Sequence, residues 1–193
     1  MLFPPQIKIS RSLRKTLRSG RFAVSVDTAF RDVVAACAEP RGTARTHGGT
    51  WITPEMLEAY CRLHQLGYAH SVEIRRRDDA RGTEKGPDAG QLVGGLYGVS
   101  LGGAFFGESM FSRASDASKT ALAWLAHRLH DWGFLFIDCQ MPTDHLASMG
   151  AVSMRRTEFL DWLDRALAMT TRRGPWRSDG DGLANPFERE ARP

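Results

Sequence analysis

Three side chains, Glu108, Asp138 and Gln140, are of types that bind amines and relay protons, and each follows a short apolar run. Glu108 closes the run Ala104-Phe-Phe-Gly107; Asp138 closes Phe134-Leu-Phe-Ile137, with Gln140 two places on. In extended chain alternate side chains face the same way, so Asp138 and Gln140 share a face if the strand continues to Gln140. Cys139 then turns to the other side as a packing residue and not a nucleophile. Two carboxylates offer negative charge to a cationic amine, and the amide both accepts and donates hydrogen bonds. A helix-length stretch separates the two runs. A strand-helix-strand crossover would lay the strands parallel and gather their carboxyl ends in the crevice where ligands of α/β sheets bind. A plainer reading competes: Glu108 and Asp138 cap the next turn or helix, or pair with Arg113 and Lys119. On the residues alone the plainer reading stands first.

Other reactive types fall away. Gly107-Glu-Ser-Met-Phe111 lacks the second glycine of a nucleophile elbow, so Ser109 reads as a turn or pocket hydroxyl. Cys61, His64 and His70 fall on a helix and a strand without a matching set of ligands, and no metal is expected. The three cysteines, Cys37, Cys61 and Cys139, are odd in number and far apart, which argues against a disulfide framework and for a reducing cytoplasm. No apolar run approaches the ~20 residues that cross a bilayer, and no signal-peptide core is visible at the N-terminus. A monomer free of the membrane is expected.

The elements that must hold these groups follow from periodicity and turn chemistry. At 193 residues and 42% hydrophobic content, the chain can bury one substantial core. Ser10 caps a helix from Arg11 to Arg18, on which Arg11, Arg14, Lys15 and Arg18 share a face; with Lys8 they form a one-signed surface suited to phosphates. The spacing predicts a strand over Phe22 to Val26 and a helix over Phe30 to Ala38 that ends at Pro40. After a loop from Gly42 to Gly49 comes a helix with Thr53 as cap, Pro54 at its first position, and Met56, Tyr60, Leu63 and Leu66 as apolar stripe. Strands are predicted over His70 to Ile74, Leu92 to Ser100, Ala104 to Gly107 and Phe134 to Asp138. A mobile hairpin insertion is expected from Arg75 to Gly90, and a helix from Ala117 to Trp132. Asp144 is expected to cap a short helix, and a last helix runs from Thr157 to Ala168 with Phe159, Trp162, Leu163 and Leu167 inward. The tail from Thr170 to Pro193 has the composition of disordered chain.

Four segments taken in order, Gly49-Thr-Trp-Ile-Thr53, Gly107-Glu-Ser-Met-Phe-Ser-Arg113, Ile137-Asp-Cys-Gln140 and Asp144-His-Leu-Ala-Ser-Met-Gly150, closely resemble the leucyl/phenylalanyl-tRNA-protein transferases. The likeness runs from about Ile9 to about Ala168. It implies an α+β or α/β, acetyltransferase-like (GNAT-like) mixed sheet flanked by helices. Residues 1–21 would be a basic segment left from the family's N-terminal region, 22–169 the transferase domain and 170–193 the tail. The family's Trp-Trp-Ser-Pro motif lies upstream of where this chain opens, Met1-Leu-Phe-Pro-Pro-Gln6, so most of that region would be missing.

The resemblance implies transfer of leucine or phenylalanine, and weakly methionine, from aminoacyl-tRNA to the N-terminal Arg or Lys of acceptor proteins, marking them for N-end-rule degradation. No cofactor is implied, because conversion of ester to amide runs downhill. Asp138 and Gln140 would activate the amine and Glu108 would orient the acceptor. Leu96, Phe105, Met110, Leu122, Leu129 and Ile137 match or flank the family's side-chain pocket, although each could equally be core. Trp51 would stack on the terminal adenosine, or act as a staple on the helix that follows it. Lys8, Arg11, Arg14, Lys15 and Arg18 would meet the tRNA, and His145 would be structural. Two other classes stay in view. A coenzyme A-dependent acyltransferase would share the fold, though Ser112 to Ser118 contains no glycine to cradle a pyrophosphate. A tRNA-binding remnant without activity would fit the missing upstream region.

Overall fold

The computed structural model describes residues 1–39, 51–77, 90–176 and 187. The loop expected at 42–49, residues 78–89 of the expected insertion, and all of the tail beyond Trp176 except Phe187 lie outside the described residues.

Local signals fix most of the elements. Helix α1 (Arg11–Arg18) starts where Ser10 Oγ accepts from Leu13 N–H at 3.1 Å. Strand β1 (Phe22–Val26) and helix α2 (Phe30–Ala38) fall where the apolar pattern predicts them. Helix α3 (Pro54–Gln65) has Thr53 as cap, accepting from Met56 N–H at 3.3 Å, with Pro54 at its first position. Leu66, expected on its apolar stripe, is exposed at the helix end. Strands β2 (Ala69–Arg76) and β3 (Gln91–Leu101) follow; Arg75 and Arg76 are strand residues paired with Leu92 and Gln91, not part of an insertion.

Strand β4 (Ala104–Ser112) runs five residues beyond its expected end at Gly107. Helix α4 (Ala117–Asp131) then crosses to the short β5 (Phe136–Asp138). Thr143, not Asp144, caps the short α5 (Asp144–Ser148): Thr143 Oγ1 accepts from Leu146 N–H at 3.2 Å, which leaves Asp144 in the first turn. In α6 (Arg156–Leu167), Phe159, Trp162 and Leu163 pack inward as expected. The fourth inward position is Ala166 and not Leu167, which is half exposed, because three-and-four spacing from Phe159 and Trp162 leads to residue 166.

The sheet is ordered β1-β2-β3-β4-β5, antiparallel throughout except for the parallel β4–β5 pair, as the crossover requires. This mixed sheet flanked by helices is an α+β fold compatible with the acetyltransferase-like architecture. Alternation along β3 sends Leu96 to one face and Tyr97 to the other. The first face packs on α1 and α4 around Leu13, Leu17, Val72, Ile74, Phe105 and Leu125. The second packs on α2 and α3 around Phe30, Val33, Tyr60 and Phe111. Disorder from Thr170 onward does not hold for residues 170–176. Trp176 is buried, and the polar, glycine-containing path that leads to it is held by hydrogen bonds to the body of the protein.

Candidate active site

The site forms where β4 and β5 part. Their pairing extends only from Ala104 opposite Phe136 to Phe106 opposite Asp138; beyond it β4 continues against β3 alone, which opens a notch. At the same level the β3–β4 register slips. Tyr97 faces Ser109 while Gly98 faces Gly107, so Glu108 is the extra residue of a β-bulge. Bulges re-aim side chains, and this one turns Glu108 into the notch from within a strand, not from the end of one. The kink brings backbone close: a Cβ at Gly98 would lie 2.2 Å from the Phe106 carbonyl oxygen and 2.5 Å from the Phe105 ring.

Glu108 Oε2 accepts from Tyr60 Oη at 2.9 Å and, at longer range, from Gln140 Nε2 at 3.4 Å. Burial, and then the bond to Glu108, push the Tyr60 hydroxyl to higher pKa, so it remains a donor. Tyr97 stands edge-on to Tyr60 at 5.0 Å, its hydroxyl pushed the same way chiefly by burial. The alternative ion pair of Glu108 with Arg113 is not formed: Arg113 donates to Glu39 Oε1 at 2.6 Å and leans on the Phe111 ring.

On the β5 side extended geometry stops at Asp138. Asp138 Oδ1 accepts from Gln140 N–H at 2.9 Å, so the turn-capping role weighed for this carboxylate is present. Gln140 has φ of +58°, and Met141 N–H closes a three-residue turn on the Cys139 carbonyl at 2.6 Å. Gln140 therefore reaches Glu108 through a left-handed turn and not by sharing a strand face with Asp138. A residue of this type in that region is uncommon and clusters at functional sites. Cys139 lines the cleft where it was expected to turn away; burial pushes its thiol up to about 11, too high for a thiolate at neutral pH.

The notch opens into a cleft of about 940 Å³, the upper range for small-molecule sites. Glu108, Asp138 and Gln140 line it, as do Leu96, Phe105, Met110, Leu122 and Ile137. Leu129 does not: it is fully buried in the core of α4, and Leu125, one turn from Leu122, takes the lining position. Trp51 stands on the rim, 51% exposed and edge-on to Tyr60 at 6.3 Å. Ile52, one residue nearer the helix, is buried in one cluster with Leu57, so the staple position belongs to Ile52 and not to Trp51.

Two residues at the site are not marked by the sequence pattern: Tyr60, whose hydroxyl holds Glu108, and the lining residue His145. Tyr60 was read as apolar stripe, and only its hydroxyl distinguishes it. His145 was read as structural; it lines the cleft with its imidazole pKa lowered by burial and then by Lys119, which favours the neutral ring. Lys8, Arg11, Arg14, Lys15 and Arg18 are all exposed, the last four on α1, whose Leu13 and Leu17 are buried, and none lines the cleft. Among the described residues no group of His, Cys, Asp and Glu is placed to hold a metal ion, and no helix is long and apolar enough to cross a membrane.

The family model described as leucyl/phenylalanyl-tRNA protein transferase matches residues 1–164. Proteins bearing that name are similar over most of this chain. The one from Alkalilimnicola ehrlichii is 53% identical over 178 residues, covering 92% of this chain and 64% of the relative. That from Aromatoleum aromaticum is 57% identical over 175 residues, 91% and 66% respectively. That from Azotobacter vinelandii is 55% identical over 163 residues, 84% and 66%. The chain thus spans just under two thirds of the length of these curated relatives. With the bulged Glu108, the Asp138–Gln140 turn and the apolar cleft placed together, the chain belongs to the leucyl/phenylalanyl-tRNA protein transferase family.

Proposed function

We propose that the cleft takes the charged 3′ end of leucyl- or phenylalanyl-tRNA and that the protein passes the amino acid to the N-terminal Arg or Lys of an acceptor protein. The observation that carries this reading is the meeting of Gln140 and Glu108 at 3.4 Å over the mouth of an apolar cleft. The aminoacyl side chain enters among Leu96, Phe105, Met110, Leu122 and Ile137, while Trp51 stacks on the terminal adenosine. Glu108, held by Tyr60, attracts the cationic acceptor. The Gln140 side-chain oxygen accepts from its α-amino group, with Asp138 fixing the turn that carries Gln140.

The amine nitrogen attacks the ester carbonyl, a C–N bond forms, and the ester C–O bond breaks. The proton lost by nitrogen leaves with the tRNA 3′ oxygen or to solvent. An apolar pocket separates near-sized side chains poorly, one methylene being worth about 1 to 3 kcal/mol, so methionine is a weak third substrate. The exposed basic face of α1 supplies phosphate contacts. The protein works as a cytoplasmic monomer in marking proteins for degradation. A coenzyme A reading loses support at the start of α4, where the Ser118 N–H already donates to Ser112 Oγ at 3.3 Å.

The test is transfer of labelled leucine or phenylalanine from tRNA to a peptide that begins with Arg, by the wild type and by Glu108→Ala, Asp138→Ala and Gln140→Ala. Transfer by the wild type, lost in the variants, supports the reading. Transfer that persists in all three overturns the site. Wild-type protein that binds charged tRNA but transfers nothing, even with the family's upstream region supplied, favours a non-catalytic tRNA-binding protein.

A further inference from the structure

Residues 171–176, beyond α6, are tied to the body of the protein. Gly102 N–H donates to Thr171 Oγ1 at 2.8 Å, the Arg173 guanidinium lies over the Tyr68 ring at 4.6 Å, and Gly174 N–H donates to the Gly67 carbonyl at 3.2 Å. A Cβ at Gly67 would stand 2.3 Å from Gly174 nitrogen, so this approach requires the glycine.

The path ends at Trp176, which is 4% exposed. Its backbone N–H donates to Asp27 Oδ2 at 2.7 Å and its ring N–H to the Arg172 carbonyl at 3.3 Å. The indole stacks on His70, centroids 3.7 Å apart and planes 6° from parallel, and His70 Nδ1 itself lies 2.8 Å from Asp27 Oδ2.

The same indole meets the Phe105 ring at 5.8 Å with a 40° tilt. Phe105 lines the cleft and Trp176 does not, so the tail residue stands one layer behind the pocket wall. Phe105 is also confined at Gly98, where no Cβ would fit against its ring. The bulge backbone and Trp176 thus bound this ring on two sides, and close-packed interiors transmit displacements.

We infer that Trp176 is a positioning residue that sets the depth of the aminoacyl pocket through Phe105, and so sets the choice between an aliphatic and an aromatic side chain. The inference rests on the reading of the cleft as the aminoacyl site. Removal of the indole leaves a void into which Phe105 retreats. The deepened pocket gains room for a phenyl ring and loses contact with a leucyl side chain.

The experiment is calorimetric binding, to the full chain, of adenosine that carries leucine or phenylalanine through a non-hydrolysable 3′-amide, with wild type, Trp176→Ala and Trp176→Phe. Trp176→Ala is expected to shift the ratio of the two dissociation constants toward phenylalanine by about tenfold, the scale of one methylene in such a pocket. Trp176→Phe, which keeps a ring on His70, is expected to restore most of the wild-type ratio. A variant that is partly unfolded weakens both probes by the same factor and leaves the ratio untouched, so a merely structural role does not imitate this result. A ratio unchanged in Trp176→Ala, or shifted toward leucine, overturns the inference and leaves the reading of the cleft standing. Failure of wild type to bind either probe overturns both.

Discussion

Glu73 on β2 and Glu108 on β4 are both carboxylates within strands of one sheet, and their surroundings are opposite. Glu73 is wholly buried and held by hydroxyls: Ser71 Oγ donates to it at 2.5 Å and Ser25 Oγ at 2.7 Å, with Thr28 Oγ1 at 3.2 Å. Beside it Asp27 is held by Ser71 N–H at 3.0 Å, Trp176 N–H at 2.7 Å and His70. Glu108 has a firm bond from Tyr60, a long one from Gln140, and an open cleft in front of it. A carboxylate that is wholly buried and bound by fixed donors is out of a substrate's reach. One that a bulge turns toward a cleft, with capacity to spare, is within it. The acidic residue type is shared, and satisfaction and access separate scaffold from site.

The largest effect expected on this contrast is at Asp27. Asp27→Ala strands two backbone N–H groups and the His70 ring in the core, and is expected to cost about 3 to 5 kcal/mol in urea unfolding. A loss below 1 kcal/mol would mean that the cluster is not structural.

Glu73 makes the next test. Burial pushes its carboxyl pKa above the usual 4.5, only partly offset by the hydroxyl donors. The folded protein therefore holds this proton to higher pH than the unfolded chain. Its stabilising contribution is complete below about 4.5 and is lost as pH rises through the raised value. Glu73→Gln removes that dependence, so unfolding curves of wild type and variant across this range should differ in slope; parallel curves would refute the shift.

In the notch, Tyr60→Phe deletes one bond to Glu108 and is expected to slow transfer about tenfold at unchanged fold, the worth of one hydrogen bond to a charged acceptor. Wild-type transfer rates in that variant would remove Tyr60 from the site. Smallest of all, Arg31→Ala breaks an exposed pair with Glu58 and should leave both unfolding and transfer where they were.

What could be read from the chain divides along the same line. Caps announced themselves by type and spacing at Ser10 and Thr53, and the parallel β4–β5 pair followed from the helix between two apolar runs. The bulge at Glu108 did not, because a slip of one residue changes neither composition nor overall alternation, and β4 was accordingly cut short at Gly107. The left-handed Gln140 was hidden for a similar reason: no glycine or asparagine marks the turn. On α4, Leu129 and Leu125 could not be told apart by periodicity, since that helix is buried on nearly every side and shows no stripe. The buried pair of Glu73 and Asp27 carries no mark in the sequence, because its donors lie on three separate segments. The stretch from Thr170 to Trp176 has the composition of disordered chain, yet a few backbone bonds and one indole hold it.

The contrast between the two carboxylates is tested most directly by measuring single-turnover transfer from charged tRNA and thermal unfolding side by side for Glu108→Gln and Glu73→Gln. The account predicts that Glu108→Gln loses transfer on the order of 100-fold or more with its unfolding temperature unchanged, while Glu73→Gln alters unfolding and keeps its transfer rate per folded molecule. Wild-type transfer by Glu108→Gln, or transfer lost in folded Glu73→Gln, would contradict it.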